Sequence, residues 1–274
     1  MDLTEDQFLT QVKRHLLKSR GVDLTGYSPS FVMRCIRKRI GRAGVPDYPA
    51  YLKLLTHSEE ELNLLIGALS INVTEFFRDK GAFEAFTAKV LRPLLAEKIR
   101  TGGMLRVWSA GCASGQEPYT IAICVAEEFK RLGSERRPMT TVVGTDLSVT
   151  ALARAKDGIY TQDEVKGVPE KVLNQYFVRA DDRYVISPVL RKSVRFAREN
   201  LLDKPGSRFF DAIVCRNVLI YFSRAMHDVV TMNLWEALRP EGYLMLGRTE
   251  TLMGAPRAYF EVIDQENRIL RKKK

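Results

Sequence analysis

Apolar positions in the first eighty or so residues recur at intervals of three and four, which predicts consecutive short helices. No alternating strand pattern interrupts them. Candidate helix starts, with capping or first-turn proline patterns, are Thr4–Gln7, Ser28-Pro29, Asp47 and Ser58–Glu61. A longer helix is predicted from about Lys80 to Arg100, and Thr101-Gly102-Gly103 is typical of its end. The front of the chain is therefore expected to be entirely helical.

After Gly103 the pattern changes to apolar strands that alternate with amphipathic helices. The predicted strands are 104–109, 140–146 and 210–216, and the predicted helices are 116–132, 148–156 and 224–238. Such alternation predicts βαβ units, and hence a doubly wound α/β fold with a parallel sheet and helices on both faces. Three closing strands are expected at 243–247, 259–263 and 267–272, the last two forming a hairpin at the edge of the sheet.

One segment, at about 176–197, fits neither a connecting helix nor a simple loop. Tyr176–Arg179 and Arg183–Ile186 flank a short polar turn, and Val194–Phe196 follows, which predicts a small antiparallel β insertion. The expected organisation is a helical domain at 1–80, a linker helix at 81–103 and an α/β domain at 104–274 that contains this insertion.

A glycine-rich turn joins the first predicted strand to its helix, at Ala110–Gly115. Glycines there let the backbone approach a ligand at the open end of the sheet, which indicates a nucleotide crevice. The spacing departs from GxGxxG, and no lysine follows Gly115, so neither a dinucleotide site nor a P-loop is supported.

Polar side chains follow the neighbouring predicted strands. Asp146 ends the strand 140–146, where a carboxylate can accept hydrogen bonds from both hydroxyls of a ribose, although it could instead cap the next helix. Asn217 follows the strand 210–216 and Asn200-Leu201 follow the preceding one, so they could line the rest of the pocket; Asn217 could also be a turn residue. These positions predict an adenosine site.

The chain is basic: 43 Lys and Arg against 33 Asp and Glu give a net charge of +10. This charge favours an anionic partner, which could be nucleic acid, a membrane surface or an acidic protein. Arg34, Lys38 and Arg42 share one face of a predicted helix, with Arg37 beside them. They form either a docking surface or a solvated face.

Other classes of site are not supported. The four cysteines form no CxxC pair and the three histidines have no ligand spacing, so we expect neither a zinc site nor a disulfide scaffold. No apolar run approaches the length of a membrane span, and the acidic amino terminus does not resemble a secretory signal. We therefore expect a cytoplasmic protein, and the lack of a heptad seam favours a monomer.

Four segments together resemble the chemotaxis receptor methyltransferases (CheR), and the resemblance covers nearly the whole chain in order. They are NVTEFFRD (72–79), WSAGCASGQEPYTIAI (108–123), GTDLS (144–148) and CRNVLIYF (215–222). The resemblance implies a class I methyltransferase that uses S-adenosyl-L-methionine and releases S-adenosyl-L-homocysteine. The implied substrates are glutamate side-chain carboxylates on the helical bundle of methyl-accepting chemoreceptors, which become methyl esters.

The resemblance also implies roles for particular residues. Arg78 and Tyr221 would handle substrate and methyl group. The basic residues Arg34, Arg37, Lys38 and Arg42 are not part of that assignment; their clustering on one helix is the ground for the hypothesis that they dock the acidic flanks of such a receptor. The implied cofactor contacts are Asn72, Thr74, Arg78, Glu117, Asp146, Asn200, Leu201, Asn217 and Val218. Structural alternatives exist for Glu117, as a first-turn acid, for Thr74, as an N-cap, and for Tyr221, as a packed aromatic.

The implied chemistry needs no general base, because a glutamate carboxylate is already ionised at neutral pH. This agrees with the absence of a Ser/His/Asp pattern and of a metal motif. Two other functions share parts of the pattern. An RNA methyltransferase would use the basic residues for phosphates, but RCIRKRIGR holds no aromatic residue for base stacking. The second alternative is a signalling module that binds cofactor or receptor without turnover.

Overall fold

The computed structural model describes residues 3–69, 74–135, 138–207 and 209–274. The described residues up to Leu69, together with Tyr221–His227, form one compact unit, and those from Thr74 to Ile220, with Asp228–Lys274, form a second. The helix that begins at Lys80 belongs to the second unit. The sequence pattern predicts instead that the helical domain ends at residue 80 and that a separate linker helix follows. Within the described ranges, no helix is long and apolar enough to cross a membrane.

The first unit is built from α1 (Glu5–Arg20), α2 (Pro29–Ala43), α3 (Tyr48–His57) and α4 (Glu59–Leu69). The all-helical prediction for this region is confirmed. Two of the expected starts form as predicted: Thr4 makes a complete capping box with Gln7, and Asp47 accepts the Ala50 N–H. Pro29 begins α2 as expected, but the Ser28 side chain makes no capping hydrogen bond.

The fourth expected start forms only in part. Ser58 Oγ accepts the N–H of Glu61, but the Glu61 side chain does not return to the Ser58 backbone, whose N–H donates to the Leu54 carbonyl instead. The Glu61 carboxylate points into the core, where it accepts hydrogen bonds from Arg39 at 2.6 and 2.9 Å and from Tyr51 at 2.8 Å. A tertiary ion pair has replaced the local cap.

The Arg39–Glu61 pair is the buried electrostatic contact of the helical unit, with side chains 10% and 7% exposed. Burial opposes ionisation of Glu61, yet the hydrogen bonds from Arg39 and Tyr51 hold its pKa below the usual value. One basic residue of the Arg34–Arg42 stretch is therefore structural and unavailable to a partner.

The second unit alternates strands and helices, as predicted. Its helices are α5 (Lys80–Phe86), α6 (Arg92–Thr101), α7 (Gln116–Leu132), α8 (Val149–Asp157), α9 (Gln162–Val165), α10 (Glu170–Tyr176), α11 (Pro188–Arg191) and α12 (Arg224–Ala237), whose first four residues lie in the helical unit. Its strands are β1 (Leu105–Ala110), β2 (Thr140–Asp146), β3 (Ile159–Thr161), β4 (Phe177–Ala180), β5 (Arg183–Ile186), β6 (Val194–Arg198), β7 (Phe210–Cys215), β8 (Leu238–Leu246), β9 (Phe260–Asp264) and β10 (Ile269–Lys272). A π-helical segment, Thr87–Leu91, joins α5 to α6, and Gly102 ends the helix in the left-handed conformation at φ 74°.

The described strands form a seven-stranded sheet in the order β6-β2-β1-β7-β8-β10-β9. β6, β2, β1, β7 and β8 run parallel, and β10 and β9 form the antiparallel hairpin predicted for the edge. The doubly wound α/β prediction is confirmed.

The small insertion is also present, with one correction. β3, β5 and β4 form a three-stranded antiparallel sheet among the described residues. The expectation that Val194–Phe196 belongs to this insertion is wrong, because β6 pairs in parallel with β2 in the main sheet. Its short apolar run did not distinguish an insertion strand from an edge strand of the main sheet.

The Arg39–Glu61 pair generates a stability prediction. Glu61→Ala should lower the free energy of unfolding by about 3 kcal/mol, because it leaves the Arg39 charge buried without a partner. Since the pKa of Glu61 is lowered, the contribution is present above its unfolded pKa of about 4.3 and is lost as the pH falls through the lower folded value. Urea denaturation of the full chain, followed by far-ultraviolet circular dichroism, measures it.

Arg37→Ala is the matched control, since Arg37 pairs with Glu5 at the surface. It should leave the unfolding curve almost unchanged. Equal losses in the two variants would contradict the structural role assigned to the buried pair. Tryptophan fluorescence would be a poor probe, because Trp108 and Trp235 both lie in the second unit.

Candidate cofactor site

Three adjacent parallel strands end at one edge of the sheet: β1 at Ala110, β2 at Asp146 and β7 at Cys215. β2 lies on one side of β1, and β7 lies on the other, so the chain reverses direction across the sheet at β1. In doubly wound folds such a reversal opens a crevice beyond the carboxyl ends of the strands. The residues that follow these three strands therefore share one crevice.

The turn after β1 is fitted closely to its neighbours. Gly111 has a φ of +80°, and a Cβ at this position would lie 2.5 Å from Val218 Cγ2. Gly115 has a φ of +93°, and its Cβ would lie 2.8 Å from the Cβ of Ala155. Only glycine tolerates both the positive φ and the close approach of a neighbour at these positions. At Gly111, this lets the turn after β1 pack directly against Val218 in the loop that follows β7.

Asp146 holds this turn and still has capacity for a ligand. Its Oδ2 accepts the N–H of Ala113 at 2.9 Å, and its Oδ1 accepts the N–H of Ser148 at 2.8 Å. Burial raises the pKa of Asp146, and the backbone donors oppose that rise. An ionised carboxylate has about four acceptor positions, so about two remain. The cap of α8 is supplied by Ser148, whose Oγ accepts the Ala151 N–H, and not by the Asp146 side chain.

Glu117 lies in the first turn of α7 and faces β1. Its Oε1 accepts the hydroxyl of Ser109 at 2.7 Å. Burial raises the pKa of Glu117 to about 7, although the positive charge of Arg216 and the bond from Ser109 oppose the rise. The carboxyl group is therefore poised to change its charge near neutral pH, which an exposed first-turn acid would not do.

The segment before α5 is anchored to the sheet by Arg216. This buried side chain donates to the Arg78 carbonyl at 2.9 Å and to the carboxylate of Asp79. Phe76 is buried against Tyr160 and Phe177. The capped helix start considered for Thr74 does not form, because the helix begins only at Lys80. Arg78 is thus held beside the crevice, close enough for its charge to act on Glu117.

The loop after β7 is held by Glu250, which follows β8. Its carboxylate accepts the backbone N–H groups of Asn217 and of the residues that follow. Asn217 adopts a φ of +59°, and its Oδ1 is buried without a hydrogen-bond partner among the described residues. A buried amide oxygen that lacks a partner indicates a place where a ligand donor fits.

Asn200 and Leu201 follow β6, as predicted. Asn200 Oδ1 accepts the N–H of Leu202 at 3.2 Å, and Leu201 is buried, with its carbonyl bound by the Asn233 side chain. Asn200 therefore acts as a turn residue whose side chain is already engaged. Asn72 lies outside the described residues.

The remaining predicted site residues lie in the helical unit. Tyr221 belongs to that unit, where its ring packs on Phe31 at a centroid distance of 4.7 Å. Arg34, Lys38 and Arg42 are exposed on α2, and the Arg34 guanidinium lies over the Phe31 ring. Arg37 is also exposed, but it forms an ion pair with Glu5.

Two residues of the site were missed by sequence reasoning. Arg216 stands within the motif CRNVLIYF, where a charged residue directly after a fully apolar strand could have been noticed. Glu250 carries no local signal, because its five partners are backbone groups at other positions of the chain. Among the described residues, no group of His, Cys, Asp and Glu side chains could hold a metal ion.

Two family descriptions match this chain. The "CheR methyltransferase, SAM binding domain" matches residues 72–269, and the "CheR methyltransferase, all-alpha domain" matches residues 7–70. The first covers the sheet and its crevice, and the second covers the helical unit. Both parts of the family therefore occur here in order.

Curated relatives agree with these matches. A chemotaxis protein methyltransferase of Borreliella burgdorferi is 32% identical over 93% of this chain and 91% of its own length. Chemotaxis protein methyltransferase 1 of Pseudomonas aeruginosa is 37% identical over 89% of this chain and 90% of its own length. A 104.1 kDa protein of Rhodobacter capsulatus is 36% identical over 95% of this chain, which spans only 27% of that protein.

The crevice fits the cofactor of this family. Within the described ranges, Asp146 has free acceptor positions, Asn217 has a buried oxygen without a partner, and Glu117 offers a carboxyl group that forms no ion pair. These are groups that the hydroxyls and the ammonium of S-adenosylmethionine can meet. The chain belongs to the CheR methyltransferase family, with the family's all-alpha domain followed by its S-adenosylmethionine-binding domain.

Proposed function

We propose that this methyltransferase esterifies the side-chain carboxylates of glutamates on chemoreceptors. It acts as a cytoplasmic monomer on the helical bundle of those receptors. The names of the relatives support the chemotaxis role, and the chemistry of the crevice supports a carboxylate acceptor.

The proposed cofactor contacts are assigned by the chemistry of each group. Asp146 accepts the ribose hydroxyls, and Glu117 accepts the ammonium of the methionine part. Asn217 Oδ1 accepts a further donor, while Leu201 and Val218 supply apolar surface for the ring. Arg78 pairs with a carboxylate, because its planar guanidinium suits that group. Thr74 and the backbone of Asn200 are further proposed contacts. The proposal extends to Asn72, which lies outside the described residues.

When bound, S-adenosylmethionine supplies an electrophilic methyl group on a sulfonium. The attacking glutamate oxygen forms the new C–O bond as the C–S bond breaks, and the electron pair stays on sulfur, so no proton is transferred. The protein therefore needs to position the two groups and exclude water, which lowers the barrier without acid–base catalysis. Tyr221 orients the acceptor through its hydroxyl.

The observation that carries this proposal is the distribution of charge in the second unit. Each described carboxylate along the crevice is held by donors: Asp146 and Glu250 by backbone N–H groups, and Glu117 by Ser109. All three histidines of the sequence lie in the helical unit. A second unit whose described crevice carboxylates are held by donors, and which contains no histidine, is suited to an acceptor that arrives already ionised.

The exposed cations of α2 form the proposed docking face, defined as Arg34, Lys38 and Arg42, with Arg37 beside it. This face attracts an acidic flank of the receptor bundle. The same face is less suited to binding RNA. Phe31, the aromatic ring beside Arg34, is only 3% exposed and therefore cannot stack on a base.

Glu117 makes cofactor affinity depend on pH. Its raised pKa means that the carboxyl group is largely protonated at mildly acidic pH and ionised above neutrality, where it attracts the ammonium. Affinity should rise about tenfold between about pH 6 and pH 7.5, in proportion to the ionised fraction. Calorimetric titration with S-adenosylhomocysteine measures this. Glu117→Gln should bind more weakly with a flat profile, and a flat profile in the unmodified protein would contradict the role.

The substrate class can be tested with methyl-labelled cofactor and either receptor or RNA. We expect label on the receptor that is released as methanol in mild alkali, because a carboxyl methyl ester hydrolyses there. Alkali-stable label on RNA would instead indicate base N-methylation. No transfer to either acceptor would indicate a binding module.

The docking face can be tested by charge reversal. Arg34→Glu with Lys38→Glu should reduce the initial rate of receptor methylation about tenfold or more at low salt, because attraction becomes repulsion. Affinity for S-adenosylhomocysteine should be retained. Lys18→Glu with Lys53→Glu is the matched control, since it makes the same change in net charge at exposed positions of α1 and α3. Equal initial rates of receptor methylation in the two double variants would contradict the docking role.

A further inference from the structure

Glu250 is a buried carboxylate, 3% exposed, that the methyl-transfer chemistry does not itself use. Five backbone N–H groups of the described residues converge on it. Oε2 accepts from Gly247 at 2.7 Å and from Asn217 at 2.8 Å. Oε1 accepts from Val218 and Leu219 at 2.8 Å each, and from Ile220 at 3.4 Å.

These bonds determine the shape of the loop after β7. Asn217 stands in the left-handed region, which an asparagine adopts at some cost, and the amides that follow it point inward. Without an acceptor, several buried N–H groups would lose their partners, which costs about 1–3 kcal/mol each. One carboxylate therefore compensates for a backbone shape that is otherwise unfavourable.

The same loop forms one wall of the crevice. Val218 lies against Gly111 so closely that a Cβ there would clash, and Gly247 packs against both the Glu250 carboxylate and the Asn217 backbone. A shift in the loop would move Asn217 and Val218 relative to the turn after β1. The width of the crevice between β1 and β7 therefore depends on the Glu250 contacts.

We propose that Glu250 is a positioning residue for methyl transfer, whose carboxylate holds the Asn217–Ile220 loop in the shape that binds the cofactor. The inference rests on the proposed function in one respect, the assignment of Asn217 and Val218 to the cofactor wall. It is independent of which acceptor receives the methyl group.

The charge of Glu250 also reaches Glu117, and this supplies a second readout. Glu250 contributes to the raised pKa of Glu117, whereas Arg216, the Ser109 hydroxyl and Arg78 oppose the rise. Burial raises the pKa of the Cys112 and Cys215 thiols, and the charge of Glu117 adds to both rises. Removal of the Glu250 charge should therefore lower the pKa of Glu117.

Glu250→Gln tests both effects in the full chain. The amide is close to isosteric, but its NH₂ group faces N–H donors and its charge is gone. Affinity for S-adenosylhomocysteine at neutral pH should fall about tenfold or more, because charge-assisted bonds that shape the site are lost. The midpoint of the affinity rise with pH should also move to lower pH, because the negative charge that raises the pKa of Glu117 is removed.

Asp264→Asn is the matched control. Asp264, at the end of β9 in the edge hairpin, is another buried carboxylate of the same unit; it accepts the Asn267 N–H and pairs with Lys89 of the π-helical segment. This variant should lose thermal stability without a change in the pH midpoint. If Glu250→Gln keeps wild-type affinity and midpoint, the inference is overturned. Weaker binding with an unmoved midpoint, as for a general loss of stability, would overturn it as well.

Amide hydrogen exchange of the unmodified protein covers the case in which Glu250→Gln does not fold. The N–H groups of Gly247, Asn217, Val218 and Leu219 should exchange slowly, although three of them lie in a loop. Rapid exchange of these amides would refute the inference. Failure of the proposed function would look different: S-adenosylhomocysteine would still bind with the Glu250 dependence, but no alkali-labile ester would form on the receptor.

Discussion

The parallel pairing of β1 with β2 on one side and with β7 on the other is the constraint on which the site depends. It brings the ends of three strands to one edge, although Ala110, Asp146 and Cys215 are far apart in the chain. Parallel strands require long crossover connections, and these carry the helices that cover both faces. The crevice is therefore a consequence of topology, and its specificity comes from the few side chains that follow each strand.

Backbone N–H groups provide much of the electrostatic stabilisation at this edge. Asp146 binds two of them, and Glu250 binds several, so neither carboxylate needs an ion pair, and neither forms one in the part of the chain that the structure describes. Such donors are fixed by the fold and need no reorganisation when charge changes in the site. Glu117 differs, because among the described residues its carboxylate accepts only the Ser109 hydroxyl, and its charge can therefore respond to a bound cation.

Most of the fold could be predicted from the sequence, because its signals are local. The bounds of α7 and β2 agree with the predicted ones, since glycines, caps and apolar runs stand directly at their ends. The placement of β6 could not be predicted, because pairing partners are not encoded in a short apolar run. The half-formed cap at Ser58 has the same explanation, since a buried arginine competes for Glu61.

The residues of the candidate site could also be predicted only in part. Asp146 and Asn217 could be predicted from their positions after strands, and Glu117 and Val218 from the resemblance to the family. Arg216 and Glu250 could not be assigned, because each acts on backbone groups contributed by distant segments. Long-range polar contacts of this kind become visible only when the strands have been placed side by side.

A crystal structure with S-adenosylhomocysteine would show whether the crevice beyond β1, β2 and β7 holds the cofactor. We expect the ribose hydroxyls at about 2.7–3.2 Å from the Asp146 carboxylate, with the amine beside Glu117 and the ring between Leu201 and Val218. Density for the ligand at any other place, with Asp146 still bound only by the Ala113 and Ser148 amides, would contradict it.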